Sequence, residues 1–178
     1  MSSTTNSVIG SVCSKERLSF DDGVNLIGSH DLIGLGAAAD RLCRELHPEQ
    51  YRTFVVDRNI NYTNVCTSGC TFCAFYKDTD HRDGYVLSKD EIFKKIEEAI
   101  SLGGTQILMQ GGLHPDLKID YYVDLLRSIK EKFDIHIHSF SPPEIIHFSA
   151  LNNLPTKEVL TLLKSAGLDT IPGGGAEI

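Results

Sequence analysis

The chain has 178 residues, 41% of them hydrophobic and 23% charged, with a formal net charge of -7, a length and mix that suit one globular domain. The acidic balance leaves no basic stripe to neutralise phosphates, which excludes nucleic acid and anionic membrane as natural partners. A small metabolite is the ligand that remains.

Met1 to Ser14 are polar and Ser/Thr-rich, with neither the basic start nor the apolar run of a signal peptide, and no stretch is long and apolar enough to span a bilayer. A cytoplasmic setting is expected, where thiols stay reduced and clustered cysteines read as a metal site. Ser19 with Asp22 resembles a helix start, followed by apolar Phe20, Val24 and Ile27. A second helical pattern runs from Asp31 to Leu46 and stops at Pro48. Both read as packing elements, with His30 and His47 solvated or capping at their edges and Cys13 and Cys43 as bystanders. Residues 1–50 therefore form an N-terminal helical segment.

From Phe54 the period changes. Residues 54–60 are short and rich in β-formers, which predicts a first strand running straight into a loop with three of the five cysteines, Cys66, Cys70 and Cys73. Lys77 to Gly84 is a surface stretch. Ser88 and Glu91 form a capping box that opens a helix carrying Ile92, Ile96 and Ala99 inward and ending at Gly103-Gly104. Residues 105–110 read as a second strand, ending in Gly111-Gly112, where backbone can approach a ligand and N–H groups are free for a carboxylate. An ordinary strand-to-helix turn explains the glycines equally well.

A helix is predicted over Ile119 to Lys132. Phe133 to Phe140 then alternates as a third strand, with His136 and His138 on one face and Ile135 and Ile137 on the other. His136 reads as a hydrogen-bonded core side chain, and His138 as pointing into a reaction chamber if that face lines a barrel. Ser141 begins a short helical piece through Phe148, and Thr156 caps a helix that ends at Gly167. Leu168 to Ile171 takes the fourth strand position before the glycine-rich loop from Pro172 to Glu177. This alternation is a parallel α/β architecture with right-handed crossovers. Four units are visible where an eight-unit barrel takes roughly 250 residues. The expectation is a truncated half barrel, or secondarily one part of a split protein completed by another chain, with open strand edges and an uncovered apolar interior.

The cysteine count carries the chemistry. CxxxCxxC supplies three thiolates, whereas a closed zinc site or an electron-transfer cluster takes four protein ligands. Three ligands leave one iron of a 4Fe-4S cube open for a substrate. The spacing, with Phe72 directly before the last cysteine, is the signature of radical S-adenosylmethionine (SAM) enzymes. Zinc completed by His81 or another distant residue, and a redox pair at Cys70 and Cys73, are the competing readings.

The chain resembles the cyclic dehypoxanthinyl futalosine synthase family of radical SAM enzymes from about Arg17 to Ile178. The resemblance rests on Asp57-Arg58-Asn59-Ile60-Asn61-Tyr62-Thr63-Asn64, the cysteine loop through Tyr76, Gly84 to Ser88, Gln110 to Leu117, His138 to Ile145 and Ile171 to Ile178. Several of these motifs are shared with aminofutalosine synthases and deazaflavin cofactor synthases. Tyr62 and the triple glycine before Ala176-Glu177 favour the cyclase.

The resemblance implies a partial TIM-type radical SAM barrel over residues 51–178, holding about the first four β/α units. It also implies cyclisation of dehypoxanthinyl futalosine for menaquinone biosynthesis, by hydrogen abstraction from ribose C4' and closure on the benzoate ring. The cofactors would be a 4Fe-4S cluster on Cys66, Cys70 and Cys73, and SAM. Phe72 would pack near the adenine. Gln110, Gly111 and Gly112 would meet the amino-acid end of SAM, standing where many radical SAM proteins have Gly-Gly-Glu. Ser139 and Glu177 complete the cofactor-binding candidates, Glu177 at the SAM ribose, near the substrate, or simply paired with an arginine. The implied electron donor is a flavodoxin or ferredoxin. A sister radical SAM enzyme and a non-catalytic cysteine-metal module are the alternatives.

Overall fold

A computed structural model describes residue 10, residues 17–49, residue 51 and residues 53–173. The chain divides into two compact units, Met1–Thr53 and Phe54–Ile178.

In the first unit α1, Phe20–Ile27, opens with a reciprocal capping box: Ser19 Oγ accepts from Asp22 N at 3.2 Å and Asp22 Oδ2 accepts from Ser19 N at 3.0 Å. Asp31 caps α2, Leu32–Leu46, through a 2.9 Å bond from Gly34 N. Both helices form where the sequence predicts them, yet Ala38 is their one buried described residue, and Phe20, Ile27, Leu32 and Ile33 are exposed. Two short helices present too few facing positions to enclose a core of their own.

The second unit alternates strand and helix. Its order is β1 (Asp57–Asn61), α3 (Lys89–Ser101), β2 (Gln106–Gln110), α4 (Ile119–Lys132), β3 (His136–Ser139), α5 (Pro142–Asn152) and α6 (Thr156–Ala166). The strands are parallel in the order β1-β2-β3, with Asn59 opposite Leu108 and Leu108 opposite His138. Ile60, Ile107, Met109 and Ile137 project from one face into a core closed by Ile96, Tyr122, Leu126 and Phe148 of the helices. Alternation places Asn59, Asn61, Gln106, Gln110, His136 and His138 on the opposite face, where Leu108 is the apolar exception. The expected apolar interior is thus a polar one, because the residues that alternate with the core positions are amides and imidazoles. Thr170 Oγ1 lies 2.8 Å from His136 Nε2 and 2.6 Å from His138 Nδ1. His136 is hydrogen-bonded as expected, but on this open face and not in the core.

Several element bounds differ from expectation. β1 starts at Asp57 and not at Phe54, because its ladder partner begins only at Gln106; Phe54 is 85% exposed. The fourth strand is reduced to a single bridge, Thr170 beside His138. There Asp169 Oδ2 takes the Ile137 N–H at 2.7 Å, in place of a backbone carbonyl, and Pro172 has no N–H to extend the ladder. Helix α5 continues past Phe148 to Asn152 and is closed by Asn153 in the left-handed region. Thr156 proves to be the first residue of α6, with Pro155 at the capping position and no side-chain cap.

Candidate functional site

The carboxyl end of β1 runs straight into the cysteine loop, and the loop's base is clamped from residues 77–87. Leu87 N donates to Tyr62 O at 2.8 Å, Thr63 Oγ1 to Tyr85 O at 2.6 Å, and Lys77 N to Asn64 O at 3.0 Å. Asn64 bonds on both ends of its amide, to Tyr85 N at 2.8 Å and Asp83 O at 2.9 Å. The tip is freer. Gly69 has φ +60, Cys70 and Cys73 are exposed, and Phe72 is 80% exposed.

Between this loop and the end of β2 lies a cleft of about 170 Å³ lined by Cys66, Cys73, Asn61, Asn64, Gln110 and the Gly111-Gly112 pair, with Thr63, Phe75 and Tyr76. Its place at the carboxyl ends of parallel strands is where α/β folds put their sites. Tyr76 donates its hydroxyl to Asp78, a bond that raises its pKa above the ordinary phenol value.

The glycine pair is required by close approach. A side chain at Gly111 would run into the Tyr62 ring, and one at Gly112 into the Val65 carbonyl and Cys66 Cβ. Contrary to expectation, their N–H groups are already committed: Gly112 N donates to Thr63 O at 3.0 Å and Gly111 N to Glu144 Oε1 at 3.1 Å. Gln110 lines the cleft, and its amide makes no hydrogen bond among the described residues.

Behind the glycines sits a group that sequence reasoning did not single out. Glu144, 2% exposed, also accepts from Tyr62 Oη at 2.7 Å and from Ser141 N and Oγ at 2.7 Å each. Burial pushes its carboxyl above the usual range, against four hydrogen bonds that favour the ionised form. Burial, with the neighbouring Glu144 charge, likewise pushes Tyr62 well above an ordinary phenol. The local signal was present: Ser141 and Glu144 have the same spacing as the Ser88 and Glu91 box.

The cleft brings together Cys66, Cys73, Gln110, Gly111 and Gly112. Cys70 sits on the exposed tip, its sulfur 3.2 Å from Ser68 Oγ. Ser139 is not at the cleft. It is fully buried on the helix side of the sheet, its hydroxyl donating to Met109 O at 2.6 Å. Glu177 and Cys13 lie outside the described residues.

The donor set fits an iron–sulfur cluster in its chemistry: three free thiols within residues 66–73, with no carboxylate or imidazole among them. The sulfurs stand apart, since no group of three or more potential ligands converges among the described residues. His81 Nδ1 accepts from Asp83 N at 3.1 Å, and no ligand group that includes His81 converges among the described residues. No helix among the described residues is long and apolar enough to cross a membrane.

Comparison with known proteins shows the family. The chain is 54% identical over 164 residues to a cyclic dehypoxanthine futalosine synthase of Halalkalibacterium halodurans, covering 92% of this chain and 44% of the relative. It is 48% identical over 141 residues to a 5-amino-6-(D-ribitylamino)uracil–L-tyrosine 4-hydroxyphenyl transferase of Methanosarcina mazei, covering 79% of this chain and 36% of that protein. The chain thus spans less than half the length of these curated relatives. Among solved structures, the FeFe-hydrogenase maturase HydG shares the fold with a TM-score of 0.62 at 14% identity, over 97% of this chain and 46% of that one. The Radical SAM superfamily pattern matches residues 60–175, from the end of β1 through the cysteine loop to the last glycines. On that match the chain belongs to the radical SAM superfamily, whose members use a 4Fe-4S cluster and SAM.

Proposed function

We propose that this chain supplies the cofactor-binding half of a radical SAM cyclase that converts dehypoxanthinyl futalosine to its spirocyclic product in menaquinone biosynthesis. The observation that carries the reading is the 54% identity over 92% of the chain to the Halalkalibacterium halodurans synthase. In this reading residues 1–50 are a helical lead-in and residues 51–178 the first half of the barrel. The protein works in the cytoplasm with a flavodoxin or ferredoxin as electron donor.

Cys66, Cys70 and Cys73 would hold three irons and leave the fourth open to the amino and carboxylate groups of SAM. When bound, the cofactors supply reductive cleavage of SAM and hence hydrogen abstraction from ribose C4' of the substrate. The chain's own residues orient that chemistry. Gln110 offers an amide that makes no hydrogen bond among the described residues, donor and acceptor together, to the amino-acid end of SAM. Gly111 and Gly112 act by their lack of side chains, since their N–H groups are taken. Phe72, projecting from the loop, would close on the adenine face. Glu177 is retained as the candidate for the SAM ribose.

The test is low-temperature electron paramagnetic resonance of anaerobically reconstituted, dithionite-reduced protein, with and without SAM, followed by product analysis on the whole protein with dehypoxanthinyl futalosine. A reduced 4Fe-4S signal that SAM alters, and formation of the cyclic product, are expected. A signal indifferent to SAM, or zinc in place of iron, overturns the reading. The 48% identity to the Methanosarcina mazei enzyme favours one rival: turnover only with tyrosine and the ribityl uracil would assign the chain to that sister reaction.

A further inference from the structure

One buried carboxylate ties together the carboxyl ends of all three strands. Tyr62 directly follows β1, Gly111 directly follows β2, and Ser141 lies two residues beyond β3; all three donate to Glu144. The turn between β3 and Ser141 is made by Phe140 in the left-handed region, φ 63, an uncommon conformation for an aromatic residue that costs free energy. That turn delivers the Ser141 N–H and hydroxyl to one carboxylate oxygen, while Tyr62 and Gly111 share the other. Glu144 stands in the first turn of α5, where the helix dipole favours its charge. Two of the three tied strand ends lead to the cleft or border it: Tyr62 precedes Thr63 and the cysteine loop, and Gly111 is itself cleft wall beside Gln110.

We propose that Glu144 is a positioning residue that fixes the cleft wall, holding Gln110-Gly111-Gly112 and the root of the cysteine loop in register for the cofactor. The claim rests on the radical SAM reading for what occupies the cleft, and on geometry alone for the knot. Glu144 does not itself line the cleft, so it acts through Tyr62 and Gly111. A fully satisfied carboxylate suits the task, because its four donors come from the ends of three different strands and losing the acceptor strands buried N–H groups.

Glu144→Gln is the direct test. Whichever way the amide turns, its NH₂ faces a backbone N–H, of Gly111 or of Ser141, and that bond is lost. Tyr62→Phe removes one donor while keeping the ring, and decides the matter if Glu144→Gln fails to fold. In the full chain without cofactor, amide hydrogen exchange is expected to accelerate about tenfold or more around residues 62–66 and 110–113, as loss of a bond to a charged acceptor implies. Amides in the middle of α4 should keep their protection. In the reconstituted chain, half-saturation of the SAM-induced spectral change should rise about fivefold or more, well below the unfolding temperature, a readout that lost stability alone does not move. Unchanged exchange in those segments, exchange raised uniformly along the chain, or unaltered SAM half-saturation overturns the proposal. A wild-type spectrum indifferent to SAM would count against the cofactor reading and leave exchange to decide the role of Glu144.

Discussion

Gly112 packs its Cα directly against the backbone carbonyl of Val65, so closely that no side chain fits between β2's end and the root of the cysteine loop. The neighbour is backbone, held by the Gly112 N to Thr63 O bond at 3.0 Å, and it cannot rotate away. Gly112→Ala is therefore expected to cost about 1–3 kcal/mol by overpacking. Gly23 in α1 has nothing within 4 Å of where a side chain would stand, so Gly23→Ala should be neutral or slightly stabilising. Denaturant unfolding of both variants checks the contrast; equal effects would refute it.

Legibility in the sequence followed the range of the interactions. Helix α4, Ile119–Lys132, was readable to the residue because its apolar period is local, and the Ser88 box announced α3. Strand bounds were less readable, since β1 begins only where Gln106 comes opposite Asp57, a partner 49 positions away. The site divided in the same way. The cysteine spacing and the glycine pair are local signals, and Cys66, Cys73 and both glycines lie at the cleft. Glu144 meets Tyr62 across 82 positions, and nothing local to either marks that pairing. Ser139 failed for a different reason. In a strand, neighbouring residues face opposite ways, so its adjacency to His138 carried it to the core side.

Asp169 provides a pH-dependent component of stability. Burial pushes its carboxyl up, but the Ile137 N–H and the Lys130 ammonium, each at 2.7 Å, outweigh that and hold it below 3.8. A depressed carboxylate contributes stability above its unfolded pKa, and that contribution is lost as pH falls through the folded value. Asp169→Asn keeps an acceptor for Ile137 N and removes only the charge. The variant should melt below wild type at neutral pH, with the gap closing as the pH drops beneath 3.8. Thermal melts across that range check it, and a gap independent of pH would show that the charge contributes nothing.

Tyr122 makes the opposite case. Its ring is fully buried against Tyr62, Phe140 and Phe148, yet its hydroxyl, neighboured by that of Tyr62, makes no hydrogen bond of good geometry among the described residues. A buried, unsatisfied hydroxyl costs about 1–3 kcal/mol, while the ring supplies packing. Tyr122→Phe should thus leave stability unchanged or raise it by about 1 kcal/mol, the reverse of the usual outcome for a core substitution. Chemical denaturation measures it directly. A loss beyond about 1 kcal/mol would mean the hydroxyl has a partner worth keeping.

Cys70 separates cofactor chemistry from folding. Its side chain is exposed at the loop tip, with Ser68 Oγ as its near neighbour at 3.2 Å, so Cys70→Ala removes almost no packing. Unfolding free energy is expected to stay within about 0.5 kcal/mol of wild type. Cluster binding should respond quite differently, because removing one of three thiolates leaves two irons anchored and no defined open position. Iron and sulfide per chain should fall sharply after anaerobic reconstitution, and the SAM-dependent change in the reduced spectrum should vanish. Cys43, exposed on α2 and outside the CxxxCxxC motif in sequence, serves as the control: Cys43→Ala should alter neither quantity. An intact, SAM-responsive 4Fe-4S spectrum in Cys70→Ala would remove Cys70 from the ligand set, and with it the reading of CxxxCxxC as three ligands and one open iron.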